Sequence, residues 1–288
     1  MIQLNAEWVA RHPLPFPGEG TDKNDRGRLL VAGGSSTVPG ALLLTGEAAL
    51  RAGAGKVQLA TVATVATGLG LAFPEAAVFA LDCNADGELA ASSALEIMRL
   101  MKLNDAAVLG PGTSATSDGP GILAKITQSR AGIPLLLDAA MLHALPQVDD
   151  ELRAYSGPKI LTPHPGEMAA LMDCSPDDIC CELAEAAAAR FSATVVLKSS
   201  CTWISTPGQP SLRYDNGSPG LATAGSGDVL AGIIGGLLAR HVAPHEAAAW
   251  GVWAHGEAGR TLAARTGPLG FLARDIVGLI PAMLRDSS

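Results

Sequence analysis

Apolar residues in this chain fall into short continuous runs separated by longer stretches of helical spacing. Arg28–Ala32 is a run of the first kind. The turn Gly33-Gly34-Ser35-Ser36 follows it, and then Gly40–Ala52, where Leu43, Leu44, Ala48 and Leu50 give the coverage of a helix. Gly53-Ala54-Gly55 stops that helix, and Lys56–Ala60 reads as the next strand. The alternation repeats: strands are predicted at Ala106–Leu109, Pro134–Asp138, Lys159–Leu161 and Thr194–Lys198, and helices at Gly121–Ser129 and Pro176–Phe191. Thr202–Ser205 and Ser211–Tyr214 flank Pro207-Gly208 as a hairpin. Three helices, Val229–Arg240, His245–Arg265 and Asp275–Arg285, close the chain. Residues 1–27 are polar and proline-containing and read as a lead-in segment packed on the surface.

Strands alternating with helices specify an α/β fold with a mainly parallel central sheet and helices on both faces. Neither a low-complexity linker nor a repeat interrupts the pattern, so residues 1–288 read as a single domain. In such sheets ligands bind beyond the carboxyl ends of the strands. Gly33-Gly34, Gly110-Pro111-Gly112, Asp138, Thr162-Pro163-His164 and Lys198 all follow strands, which points to one shared site.

Composition narrows the function classes. Hydrophobic residues make up 48% and aromatics only 4%, so the core must be mostly aliphatic. The formal net charge of −8, without Lys/Arg runs, argues against nucleic-acid binding, which needs a basic surface. The five cysteines, Cys83, Cys174, Cys180, Cys181 and Cys201, have no C-x-x-C spacing and read as free thiols in a reducing compartment. The longest apolar run, Val229–Ala239, is about half the ~20 residues a spanning helix needs. The N-terminus lacks the basic-then-apolar pattern of a signal peptide. A soluble, cytoplasmic protein without membrane contact is expected.

The strongest chemical signal is the segment Asn216 to Asp228, rich in glycine and small residues and followed at once by the apolar helix. Small residues let the backbone approach a ligand, and the N–H groups of Gly225, Ser226 and Gly227 at a helix start make an anion hole. Asp228 carries the wrong charge for phosphate but stands where it could take a proton from an attacking hydroxyl. Its competing role is a helix cap. Thr162-Pro163-His164-Pro165-Gly166-Glu167 holds His164 between two prolines, which suits a binding residue. Lys198 ends a strand and could reach a phosphate or simply lie on the surface. Gly110-Pro111-Gly112 reads equally as a ligand turn or a plain turn. Gly33-Gly34-Ser35-Ser36 completes neither a P-loop nor the dinucleotide fingerprint, so a Rossmann dehydrogenase is poorly supported.

Arg28–Gly34 with Gly40-Ala41, Ala49–Gly55, Gly110–Gly112, Leu161–Glu167, Asn216–Gly232 and Ala254–Gly259 together resemble the NAD(P)H-hydrate dehydratases of the ribokinase-like superfamily. The matches follow the family's order from about residue 25 to 285. The Gly225-Ser226-Gly227-Asp228 turn is shared by many ribokinase-like kinases, whereas Thr162–Glu167 together with Asn216–Asp228 is far more specific. The resemblance implies repair of hydrated NADH or NADPH: phosphorylation of the C6 hydroxyl, then elimination of phosphate. It implies Mg²⁺, ADP as donor in bacterial-type members and ATP in eukaryotic ones, and a homo-oligomer, a tetramer by analogy. Residue by residue, it implies that Ala41, Gly112 and His164 contact the hydrated coenzyme. Lys198, Ser199, Ser200, Cys201, Thr202 and Gly227 would contact the nucleotide, and Asp228 the substrate hydroxyl as catalytic base. No metal ligands follow from it. Two positions depart from the family's pattern: Ala139 and Ala140 follow Asp138 where a second aspartate is usual, and Ser199 follows Lys198 where glycine is frequent. Only residues 1–27 precede the first predicted strand, too few for the epimerase domain some relatives carry.

Two other functions share parts of this pattern. A ribokinase-like kinase for a vitamin-precursor alcohol would keep the anion turn and Asp228 but release a phosphate ester. A non-catalytic nucleotide binder would have no use for a carboxylate beside phosphate.

Overall fold

The strand runs are apolar at nearly every position because both faces of the sheet are covered. The structure is a computed structural model that describes residues 1–15, 18, 20–116 and 118–285. Among these residues one sheet contains β1 (Ile2–Gln3), β2 (Arg28–Ala32), β3 (Lys56–Val62), β4 (Ala77–Leu81), β5 (Ala106–Leu109), β6 (Leu135–Leu137), β7 (Lys159–Leu161), β8 (Thr194–Leu197), β9 (Thr202–Ser205) and β10 (Leu212–Tyr214). Their spatial order is β1-β10-β9-β8-β7-β6-β5-β2-β3-β4. All neighbours pair in parallel except β8–β9 and β9–β10. Successive residues alternate between two cores: Leu29 and Val31 of β2 face one, Leu30 and Ala32 the other.

The helices are α1 (Ala6–Arg11), α2 (Gly40–Arg51), α3 (Ala63–Ala72), α4 (Ser93–Met101), α5 (Asp118–Ile126), α6 (Ala140–Ala144), α7 (Asp149–Ala154), α8 (Pro165–Met172), α9 (Cys181–Phe191), α10 (Ser226–Ala239), α11 (Pro244–Thr266), α12 (Ala273–Val277) and α13 (Ile280–Met283). Residues of α1–α3 and α10–α13 build the first core, and those of α4–α9 the second. α2 and α10 meet at backbone distance. A Cβ on Gly232 would lie 2.3 Å from the Thr45 carbonyl oxygen, and one on Gly236 2.6 Å from that of Ala49. Glycine is required at both because no side chain fits between the helices.

Several elements differ from the sequence expectation. Residues 1–27 are not a mere surface lead-in. β1 extends the sheet beside β10, Trp8 and Val9 are buried, and Trp250 Nε1 donates to the His12 carbonyl oxygen at 2.7 Å. The predicted helix Pro176–Phe191 is broken: Ser175 caps a short 3-10 turn at Pro176–Asp178, and α9 begins at Cys181. Asp275–Arg285 divides into α12 and α13. α3, β4, α4 and α6–α8 had no predicted counterpart.

The sheet order places the site. From β2 the chain runs outward through β3 and β4, then returns to β5 on the other side of β2 and runs the opposite way. The reversal lies between β2 and β5, where open α/β sheets form their ligand crevice. The turns after these strands touch, with Gly34 N–H donating to the Pro111 carbonyl at 2.7 Å.

Candidate active site

Parallel register sets the strand-end residues side by side. Leu109 pairs with Leu137 and Leu137 with Leu161, so Asp138 and Thr162 leave the sheet as neighbours. Asp138 is buried, and its Oδ1 accepts from Thr162 Oγ1 at 2.7 Å and from Lys198 Nζ at 2.9 Å. The Lys198 backbone N–H donates to the Pro163 carbonyl at 2.8 Å, fixing the lysine at the end of β8. Ala139, next to Asp138, has φ 49 and ψ −127, a conformation a Cβ disfavours. The crowding is tight here: a Cβ on Gly110 would lie 2.0 Å from the Asp138 carbonyl oxygen.

The glycine-rich segment before α10 meets this group at Lys198. Gly225, at φ 86, reverses the chain into α10. A Cβ on Gly227 would lie 3.6 Å from Lys198 Nζ. Among the described residues the N–H groups of Gly227 and Asp228 have no acceptor, whereas the Ser226 N–H donates to the Thr223 carbonyl at 3.2 Å. Of the expected trio of backbone donors, the Ser226 N–H is thus engaged within the turn. Its hydroxyl remains in the turn, 2.9 Å from His255 Nε2.

The charges interact strongly. Burial, then the neighbouring Asp138 carboxylate, raise Asp228 from 3.8 to about 7, with Lys198 partly opposing. Burial alone would lower Lys198, but Asp138, Glu167 and Asp228 outweigh it and hold the ammonium above its ordinary pKa. The result is a cation beside one firmly held carboxylate and one carboxylate poised near neutrality.

Ala41 and Gly112 stand together at the β2–β5 reversal: a Cβ on Gly112 would lie 2.6 Å from that of Ala41. His164 caps α8. Its Nδ1 accepts from the N–H groups of Gly166 (3.0 Å) and Glu167 (3.2 Å), while Glu167 Oε2 accepts from the His164 N–H at 2.8 Å. The ring hydrogen of the neutral imidazole therefore sits on Nε2, on a side chain that is half exposed. Ser199, Ser200 and Cys201 form the turn from Lys198 into β9, which Thr202 opens. Both serines are exposed, and Cys201 Sγ accepts from Arg213 Nε at 3.1 Å.

Asp138 and Thr162 were expected at the shared strand-end site without an assigned role, and His255 and Glu257 had no site role in the sequence reading. Asp138 carried a signal, its place at a strand end. Thr162 carried the same signal, and His255 and Glu257 lie in the Ala254–Gly259 segment of the family resemblance, but their contacts are recognised only in space. Among the described residues no three His, Cys, Asp or Glu side chains gather closely enough to hold a metal. Magnesium that arrives on phosphate oxygens needs only one or two carboxylates. Asp138 fits, since both of its hydrogen bonds fall on Oδ1.

The sheet order and the strand-end crevice define a ribokinase-like fold. A ribokinase-like protein from Enterococcus faecalis superimposes with a TM-score of 0.83 at 26% identity, covering 99% of this chain and 95% of that one. The ADP/ATP-dependent NAD(P)H-hydrate dehydratase of Bacillus subtilis, co-crystallised with ATP and Mg²⁺, gives 0.82 at 27% identity over 98% and 97%. The ADP-dependent (S)-NAD(P)H-hydrate dehydratase of Xanthomonas campestris is 44% identical over 98% of this chain and 95% of its own length. Against the bifunctional NAD(P)H-hydrate repair enzyme of Moorella thermoacetica, 36% identical, the chain spans 54% of the relative. Residues 29–282 match the NAD(P)H-hydrate dehydratase family, and the chain belongs to it. No helix of the described residues is long and apolar enough to cross a membrane.

Proposed function

We propose that the chain restores NADH or NADPH from the (S)-hydrates by ADP-dependent dehydration, releasing AMP and phosphate. The observation that carries this reading is Asp228, held near neutrality at the first turn of α10 beside the open N–H groups of Gly227 and Asp228. A secondary alcohol is a poor nucleophile until its proton leaves. Asp228 orients the C6 hydroxyl and accepts that proton as the oxygen–phosphorus bond forms. The bond from phosphorus to the ADP bridging oxygen breaks, and AMP leaves with the electron pair. The open N–H groups and Lys198 balance charge on the transferring phosphoryl oxygens. Phosphate then departs from C6 with its bonding pair, a proton leaves C5, and the ring double bond returns. In this reading Ala41, Gly112 and His164 contact the hydrated coenzyme, and Lys198 to Thr202 with Gly227 contact the nucleotide. Magnesium, carried on the phosphates and held by Asp138, would neutralise donor charge. The protein acts in the cytoplasm as a homo-oligomer, a tetramer by analogy.

The test is direct. The protein is incubated with hydrated NADPH, Mg²⁺ and either ADP or ATP while the reduced-nicotinamide absorbance is followed. Absorbance should recover faster with ADP, and Asp228→Asn should slow it by ~10²–10⁴-fold with ADP affinity within about threefold, since removing a negative charge cannot weaken phosphate binding. No recovery with either nucleotide defeats the proposal. Faster recovery with ATP defeats the donor assignment, and Asp228→Asn turnover within tenfold of the parent leaves Asp228 only an acidic residue in the first turn of α10, whose N-cap is Gly225.

A further inference from the structure

The segment Ala254–Gly259, in the middle of α11, contacts the anion turn at both of its ends. Glu257 is buried, and its Oε1 accepts from Tyr214 Oη at 3.1 Å and from Asn216 Nδ2 at 3.3 Å, where the turn begins. Its Oε2 accepts from Arg260 Nε at 2.8 Å. Where the turn ends, His255 Nε2 stands 2.9 Å from Ser226 Oγ. Between these anchors the two glycines admit the turn. A Cβ on Gly256 would lie 2.3 Å from Tyr214, and one on Gly259 2.5 Å from Leu221. One turn of α11 is thus the template on which residues 214–226 are shaped.

We propose that His255 is a positioning residue for phosphoryl transfer: it donates its Nε2–H to Ser226 Oγ and so frees the Ser226 hydroxyl hydrogen to point at the phosphoryl group. The 2.9 Å contact allows either direction, and the task of the turn selects this one. With the opposite tautomer the ring would accept the Ser226 hydrogen, and Ser226 would turn only lone pairs toward an anion. The hydroxyl would then oppose the open N–H groups of Gly227 and Asp228 instead of joining them. Burial and the nearby Lys198 ammonium favour an uncharged ring, the Ser226 backbone opposing, and hold His255 at about 4. The imidazole therefore works as a fixed dipole at neutral pH. A donor fixed in this way before the reaction needs no reorganisation when charge moves onto the phosphoryl oxygens.

The inference rests on residues 225–228 being the anion turn, and its test separates the two. Nitrogen-15 spectra of the whole protein should show His255 as the neutral Nε2–H tautomer at pH 7, a readout that needs no turnover. Kinetically, His255→Phe should lower kcat about tenfold, the rate equivalent of one hydrogen bond made in the transition state, with KM for the hydrated coenzyme unchanged. His255→Gln, whose amide can donate to Ser226, should recover most of the loss. Ser226→Ala combined with His255→Phe should be no slower than Ser226→Ala alone. An Nδ1–H tautomer overturns the assignment. So do additive losses in the double variant, or a Gln variant as slow as Phe. A parent protein inactive on hydrated coenzyme would instead defeat the proposed function, leaving the tautomer to be judged by the spectra.

Discussion

Asp228 trades stability for chemistry, and the sign follows from its pKa. An unfolded aspartate releases its proton near 3.8, whereas the folded one holds it to about 7. Between these values the folded chain binds more protons than the unfolded one, so this residue's effect on stability becomes less favourable as pH rises. Above pH 7 the full cost of an ionised buried carboxylate is present. Asp228→Asn removes that cost. The variant should melt with the parent near pH 4 and above it at pH 8, while losing turnover. Denaturant titrations of the nucleotide-free protein at both values check this, and a less stable variant at pH 8 would show that burial is not what raises Asp228. Asp228 was legible in the sequence because a glycine turn and an apolar helix bracket it. Its environment was not, because Lys198 and Asp138 meet only across 60 residues of chain. His164 was legible as a constrained residue but not as a cap, since the capping-box pattern is normally written with Ser or Thr at that place. His164→Asn keeps a strong cap while removing the ring. It should hold stability close to the parent where His164→Ala loses about 1 kcal/mol, and both should weaken hydrated-coenzyme binding more than ADP binding. Calorimetric titration decides, and parental coenzyme affinity in the Asn variant would leave His164 a purely structural residue.

Within the anion turn two glycines two residues apart have different reasons to be glycine. A Cβ at Gly227 meets nothing closer than Lys198 Nζ at 3.6 Å, so the folded chain tolerates a side chain there. A phosphoryl group would not. Gly227→Val should fold like the parent and lose about a hundredfold in turnover. At Gly225 the φ of +86 and the Leu44 Cδ1 atom 2.6 Å from an added Cβ oppose any side chain. Gly225→Ala should lose ~1–3 kcal/mol of stability before activity is considered. Urea midpoints measured beside turnover separate the two, and equal losses of stability would refute the distinction. Among the elements, β2, β5, β7 and β8 were legible because strands covered on both faces are apolar throughout. α3 was not. Its Thr64, Val65, Thr67, Gly68 and Gly70 are poor helix formers, and packing beside β4 overrides them. β4 escaped notice because it is an edge strand whose residues are mostly half-buried or exposed. The break before α9 was hidden because Pro176 followed by Asp177 and Asp178 has the composition of a helix's first turn, although Ser175 and Asp178 cap a separate turn there.

At the scale of the molecule, the alternation of strands and helices predicted the sheet but not its far edge. β1 is two residues long, too short for periodicity to reveal, yet it covers the β10 edge. Deleting residues 1–12 would expose that edge, remove Trp8 and Val9 from the core and take the acceptor from Trp250 Nε1. Burying one such apolar side chain contributes ~1.5–3 kcal/mol, and a bare strand edge invites pairing with another chain. The shortened protein should unfold several kcal/mol earlier and scatter light in proportion to its concentration. A deletion variant with the parent's denaturation midpoint and no scattering would show that β1 and α1 are dispensable. The same pairing governs how the protein is made. Ile2 leaves the ribosome some two hundred residues before its partner Leu212. At ~5–20 residues per second that is a wait of roughly 10–40 s. α2 waits similarly for α10, whose glycines let it settle against the Thr45 and Ala49 carbonyls. Until then the growing chain carries an uncovered apolar helix and an unpaired leading segment, so its most aggregation-prone interval falls during synthesis rather than after release.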